Sequence, residues 1–514
     1  MSRSGPINFP MKRRTILFWA VALAFGGLGA AERSFPFAEA TIDDLQARMA
    51  AGTLTARTLT EAYRERIAEV DRAGPRLNAV IELNPDALAM ADRLDAERKA
   101  GKVRGPLHGI PVLLKDNIAT ADTMETTAGS LALVGLKPLR DAHLVTRLRE
   151  AGAVLLGKTN LSEWANFRGE RSVSGWSGRG GQTHNPYVLD RNPSGSSSGS
   201  AVAVSANLCV VAIGTETNGS IISPSTVCGV VGFKPTVGLV SRSGVIPIAA
   251  TFDTAGPITR TVRDAALVLA TLAGFDERDA VTRNLPAQLA ATLAMPLPAG
   301  ALQGARIGVV RTTGAKRGPD TVMAAALDVL RAAGADLIDV GEWPGPASAG
   351  SARIEVMLYE MKAGIDAYLA DLGPAAPMKT LADIIKFNDE HWAREQPLFG
   401  QQYFKQAQAK GPLSESAYLE ARDTCWRVAR AEGIDALMEK HRLDALVGGG
   451  AGVAAMAGYP SVTVPFGALS PLPTGFLFYG RAWSEAKLLA LAADFEARTR
   501  ARREPTFLPT ADPR

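Results

Sequence analysis

Three segments of this 514-residue chain group residue types that can do chemistry. An apolar run, Ile110-Pro111-Val112-Leu113-Leu114, ends in Lys115-Asp116-Asn117. A small-residue loop follows much later, Gly195-Ser196-Ser197-Ser198-Gly199-Ser200-Ala201. Next comes Gly214-Thr215-Glu216-Thr217-Asn218-Gly219-Ser220-Ile221. A serine on a tight turn becomes a nucleophile once a neighbour accepts its proton. The N–H groups of a helix starting just after it would face negative charge developing there. A lysine projecting from a buried strand end loses solvation, which lowers its pKa by up to ~5 units and leaves a neutral amine. Asp116 would oppose that shift if it faced the same way.

On residue type alone the assignment stays open. Asn-Gly-Ser turns are common, and a lysine at a strand end is more often solvated than catalytic. The five histidines, His108, His143, His184, His391 and His441, sit in settings where a structural role is the commoner one. Gly195-Ser196-Ser197-Ser198-Gly199 also fits G-x-S-x-G, which would make Ser197 the nucleophile of an α/β-hydrolase and a downstream His391 or His441 its base. That elbow needs an apolar strand directly before it, and Val188-Leu189-Asp190-Arg191-Asn192-Pro193 is not one. A non-enzymatic anion cradle in the Gly/Ser loop finds no G-x-x-x-x-G-K-[ST] to support it.

The elements that must position these residues alternate. Helical spacing of Leu59, Tyr63, Ile67 and Val70 predicts helix across Thr41 to Val70, split at Gly52. Strands are expected at 79–83, 110–114, 153–157 and 209–214, with helices at 86–101, 143–151 and 200–207 between them. Ser220 then falls at the start of a further helix. Residues 307–340 read as strand, helix, strand, and 350–440 as a helical, cap-like region forming a substrate wall. A strand at 461–464 and a helix at 484–498 close the chain. Short strands alternating with helices predict an α/β layered fold, with no linker dividing 32–514.

The ordered blocks carry a resemblance. Gly195–Ala201, Gly214–Ile221 and Cys228-Gly229-Val230-Val231-Gly232-Phe233-Lys234-Pro235-Thr236 resemble the amidase signature family. So do His108–Asn117, Gly157-Lys158-Thr159-Asn160-Leu161-Ser162-Glu163, Ala457-Gly458-Tyr459-Pro460, and Gly480-Arg481 with Glu485. The likeness runs from about Thr41 to Arg498. It implies a central twisted mixed β-sheet covered by helices on both faces. It further implies Ser220 as nucleophile, Ser196 (after a cis peptide bond) as bridging serine and Lys115 as base. The backbone N–H groups of Thr217, Asn218, Gly219 and Ser220 would form the oxyanion hole. Ser194-Gly195-Ser196-Ser197-Ser198-Gly199 replaces two of the family's usual glycines with serine, and Asn218 stands where Asp or Gly is usual. The chain is similar to bacterial peptide amidases in Gly-Ser-Ser-Ser-Gly-Ser-Ala, Gly-Thr-Glu-Thr, Gly175-Trp176-Ser177 and Gly180-Gly181-Gln182-Thr183. That similarity implies release of ammonia from C-terminal peptide amides or N-acyl amino acid amides. Aryl or fatty amides, esters, and a role within an amidotransferase complex are its neighbours in the family.

Composition bounds the rest. Lys12-Arg13-Arg14, the apolar stretch Ile16–Leu28 and Gly29-Ala30-Ala31 form a signal-peptide pattern over about 11–31, with Met11 an alternative start to Met1. Export to the periplasm or medium follows, with no other membrane contact. The net charge is +4, but residues 1–31 hold four basic residues and no acid, so the remainder is near neutral. A neutral surface gives no electrostatic case for nucleic acid. Cys209, Cys228 and Cys425 are too few and too scattered for a disulfide framework or zinc site, with one pair in an oxidising compartment the alternative to buried free thiols. No metal or organic cofactor is expected, the partner is a small-molecule or peptide amide, and the chain is expected as a monomer or homodimer.

Overall fold

The computed structural model describes residues 1, 35–311, 321–343, 348–373, 376–469 and 471–511. The expected signal peptide lies outside the described residues. The chain divides into two compact units, Met1–Ala38 and Glu39–Arg514, and all that follows concerns the second.

Its strands are β1 (Val80–Leu83), β2 (Pro111–Lys115), β3 (Val154–Thr159), β4 (Trp176–Ser177), β5 (Gly181–Gln182), β6 (Val211–Glu216) and β7 (Val231–Lys234). They continue with β8 (Thr254–Thr259), β9 (Arg306–Arg311), β10 (Asp336–Glu342), β11 (Ala445–Gly448), β12 (Ser461–Leu469) and β13 (Leu472–Tyr479). β4 and β5 pair as a short ribbon. The other strands form one 11-stranded sheet in the order β1-β3-β2-β6-β8-β7-β12-β13-β11-β9-β10. It is mixed: β2 runs parallel to β3 and β6, and β9 parallel to β10 and β11, while the remaining pairings are antiparallel. The first seven helices are α1 (Ile42–Ala50), α2 (Ala56–Arg66), α3 (Ala87–Lys99), α4 (His143–Glu150), α5 (Ser198–Ser205), α6 (Ile222–Val227) and α7 (Val262–Leu272). Among the described residues no helix is long and apolar enough to cross a membrane.

Local chemistry explains the boundaries. Thr41, Thr55 and Thr261 cap α1, α2 and α7 by accepting the amide N–H three residues on. Gly52, at φ +70°, separates α1 from α2 as its position predicts. β2 is a continuous apolar run because helices, α2 and α5 among them, pack on the parallel part of the sheet; every residue from Pro111 to Lys115 is buried.

Several expected elements shift. The strand expected at 209–214 is Val211–Glu216, and the helix expected at 200–207 begins at Ser198. Ser220 does not start a helix: α6 begins at Ile222 and has six residues. Strands β7, β8, β11 and β13 had no clear apolar alternation to announce them. Residues 350–440 are largely helical, led by the 22-residue helix Gly350–Asp371. Its Val356, Met357, Met361 and Ile365 share a core with Trp164, Phe167, Ile248 and Phe252. The three cysteines are all free and buried.

Candidate active site

β2 and β6 are adjacent parallel strands, so Lys115 and Thr215 leave the sheet at the same end. Lys115 Nζ lies 2.7 Å from Ser196 Oγ and 2.7 Å from Thr215 Oγ1. The Thr215 hydroxyl also receives Asn117 Nδ2 at 3.0 Å. Lys115 is fully buried, and that desolvation lowers its pKa from 10.5 to about 7 against the opposing pull of Asp253 and Glu216. Asp116 does not contribute to this balance. It points the other way, into Thr127 Oγ1 and the Gly129 amide, with Arg179 and Lys158 nearby.

The loop before α5 brings Ser196 to the lysine, and the Gly195–Ser196 peptide bond is cis. Gly195 has no room for a side chain, because a Cβ would sit 2.2 Å from Ser162 Oγ. The next residue ties this loop to the β6 turn. Ser197 N–H donates to Ser220 O at 3.1 Å, and Ser197 Oγ bridges the carbonyl and amide of Thr215 at 3.0 and 3.1 Å. Ser197 is thus a buried brace. No histidine faces it: His391 Nδ1 pairs with Phe387 O, His108 Nε2 with Leu94 O, and His441 closes a helix, Asp435–His441, at its C-terminal end. The α/β-hydrolase arrangement is absent from this site.

Ser220 is 8% exposed and lines a cavity of about 270 Å³ with Gly195, Asn218 and Thr217. Ser196 and Ser220 are joined through the Ser197–Ser220 backbone bond, while their hydroxyls are not hydrogen-bonded to each other in this structure. Gly219 takes φ +86°, which lets the chain turn between β6 and α6. The N–H groups of Thr217, Asn218 and Ser220 donate to no protein acceptor among the described residues. The Gly219 N–H instead faces the Glu216 carboxylate, as do Ile221 N–H and Ile222 N–H at 2.7 and 3.0 Å. The α6 N-terminus therefore already holds an anion from its own chain, contrary to the expectation that it would face substrate.

Sequence reasoning missed Thr215 as the lysine's second partner and Asp253 altogether. Asp253 accepts Thr217 Oγ1 and the amides of Ile248 and Ala249, so it fixes the Thr217 end of the turn. Burial raises its pKa to about 6. A polar residue in a loop before an unannounced strand carried no signal of this. A second cavity, about 340 Å³, lies on the Lys115 side and is lined by Asn117, Thr215, Thr217 and Asp253, with Tyr368 from the helix Gly350–Asp371. Behind the site, buried Arg168 meets Glu163 at 2.8 Å and Glu395 at 3.5 Å, tying the loop after β3 to the helical region.

A buried amine paired with a serine hydroxyl beside a second serine on a glycine turn is equipment for acyl transfer. Comparison with known proteins names the class. The chain belongs to the Amidase family, whose model matches residues 58–489, and it is a hydrolase acting on amide bonds. It is similar to the native peptide amidase of Stenotrophomonas maltophilia, with 53% identity and a TM-score of 0.88 over 92% of this chain and 99% of that one. A probable amidase of Arabidopsis thaliana is 41% identical over 92% of this chain and 93% of its own. A glutamyl-tRNA(Gln) amidotransferase chain of Roseiflexus castenholzii is 32% identical over 90% of this chain and 96% of its own.

Proposed function

We propose that the protein hydrolyses primary carboxamides at the C-terminus of peptides or N-acyl amino acids, releasing ammonia through an acyl-enzyme on Ser220. The observation that carries the reading is the 2.7 Å contact between Ser196 and a buried Lys115 whose pKa is lowered to about 7, set beside the Ser220 turn. The similarity to a peptide amidase over nearly the whole of both chains supports the substrate class.

In this mechanism Ser220 Oγ attacks the amide carbon. Its proton passes to Ser196 Oγ as the Ser196 proton passes to the Lys115 lone pair. The developing oxyanion faces the free N–H groups of Thr217, Asn218 and Ser220. The Lys115 ammonium then returns a proton through Ser196 to the leaving nitrogen, the C–N bond breaks, and ammonia departs. Water enters along the same proton path, attacks the Ser220 ester and releases the acid. For the relay to close, the Ser220 hydroxyl must rotate onto Ser196 when substrate binds. No cofactor takes part in any of these steps. The signal-peptide pattern at about 11–31 supports export to the periplasm or medium, and the chain works as a monomer or homodimer.

The alternative of a role in tRNA-dependent amidotransfer rests on the relatives of that name. The near-neutral charge beyond residue 31 and the export pattern weigh against it. The test is ammonia release from a short peptide amide by residues 32–514, beside Ser220→Ala. Release that vanishes in the variant supports both nucleophile and substrate class. Cleavage of anilides or fatty amides but not peptide amides would remove the substrate class, and equal release from both proteins would remove Ser220.

A further inference from the structure

The cavity that holds Ser220 also contains a cation without a counter-charge. Arg353, on the helix Gly350–Asp371, lines that cavity with Asn218, Phe167, Met357 and Tyr403. One guanidinium nitrogen reaches Asn218 Oδ1 at 3.4 Å, and Nε is buried with no hydrogen-bond partner. No carboxylate pairs with it among the described residues. Several other partly or fully buried arginines meet carboxylates, Arg149 with Asp122 and Asp141, Arg168 with Glu163 and Glu395, Arg242 with Asp279, and Arg502 with Glu39. Arg260 and Arg430 instead donate to backbone carbonyls. Burial lowers the Arg353 pKa, with only Cys425 and Tyr403 exerting an opposing pull. Glu170 is the cavity's one carboxylate; it is exposed and receives Gln406 Nε2 at 2.9 Å.

A partly desolvated guanidinium with an unused donor is costly unless something anionic completes it. Its neighbour Asn218 belongs to the Ser220 turn, so the donor is placed where the acyl part of a substrate lies. We infer that Arg353 is a specificity-determining residue that favours carboxamides carrying a carboxylate on their acyl portion, such as amides of acidic amino acids. This rests on the reading of the protein as a Ser220 carboxamide hydrolase and refines its substrate class. An arginine fork binds a carboxylate through charge-assisted hydrogen bonds, each of a size that changes affinity by roughly tenfold.

The test compares kcat/KM for ammonia release from N-acetyl-glutamic acid α-amide and from N-acetyl-methioninamide, a neutral substrate of similar length. The anionic-to-neutral ratio in the wild type should be about ten or more at low salt and should shrink toward one at about 0.5 M salt. Arg353→Met should reduce the low-salt ratio about tenfold, and Arg353→Lys should retain part of it. A wild-type ratio at or below one overturns the inference without any variant having to fold. Equal losses on both substrates in Arg353→Met overturn it too, because an arginine that only steadies Asn218 would act on both alike. Turnover of the neutral substrate with no preference sinks the inference alone, whereas turnover of neither sinks the underlying reading as well.

Discussion

Acidification should switch the enzyme off along a curve set by Lys115. The amine accepts a proton only when neutral, and burial brings its pKa from 10.5 to about 7. An unperturbed lysine would be neutral in about 0.03% of molecules at pH 7, whereas a pKa near 7 makes that fraction about half. Burial therefore raises the active population by about 10³ at neutral pH. The fraction falls to about a tenth at pH 6 and rises to about nine-tenths at pH 8. The assay is kcat/KM for a neutral peptide amide from pH 5 to 9.5, since that ratio reports the free enzyme. It should climb about tenfold per unit below 7 and level off above 8. Asp253 and Glu216 both hold the Lys115 pKa up, so Asp253→Asn should move the rising limb toward lower pH. Asn can keep the geometry by accepting the Ile248 and Ala249 amides and donating to Thr217 Oγ1. A limb centred near pH 10, or a limb that moves up in Asp253→Asn, would refute the neutral-lysine argument. The stability sign runs the same way. Between about 7 and 10.5 the unfolded chain holds a Lys115 proton that the folded chain lacks, so stability contributed by this group rises with pH across that window and stays at its minimum below it.

Other perturbations separate catalytic from structural roles. Ser196→Ala should lower kcat by roughly 10²–10⁴ with little change in melting temperature, because it removes the proton bridge, as steady-state kinetics beside a thermal melt would show. Gly219→Ala should cost about 1–2 kcal/mol in denaturant unfolding: φ is +86° and the new Cβ would lie 3.0 Å from Ser223 Oγ. Arg168→Met should cost about 3–5 kcal/mol, since Glu163 and Glu395 would remain buried without their cation. A loss under 1 kcal/mol there would mean that the two carboxyls neutralise themselves.

The side chains proposed for the relay stand out in the sequence because each lies in a short ordered block. The run ending at Lys115 is apolar enough to announce a buried strand, and the glycines around Ser196 and Ser220 announce turns. What the blocks could not convey was the partnership between them. Thr215 becomes the lysine's second contact only because β2 and β6 are sheet neighbours, a pairing between residues a hundred positions apart. Residue types at the α6 N-terminus suggested an anion site, yet Glu216, five residues upstream, folds back and occupies it. Strands β7 and β8 carry Gly, Pro and Thr within fully buried positions, so neither alternation nor a long apolar run marks them. Arg353 sits in a helix whose sequence reads as ordinary surface, and only its packing over the Ser220 cavity sets it apart.

The covalent intermediate offers the most direct test of the Ser196, Ser220 and Lys115 account. Mixing the enzyme with an N-acyl amino acid p-nitrophenyl ester at pH 5, where the good leaving group lets acylation outrun a deacylation slowed by the mostly protonated Lys115, should trap an acyl group. Intact-mass measurement and peptide mapping should place it on Ser220, with none on Ser220→Ala. An adduct on Ser197 or Ser196 in the wild type, or an undiminished adduct in Ser220→Ala, would contradict the account.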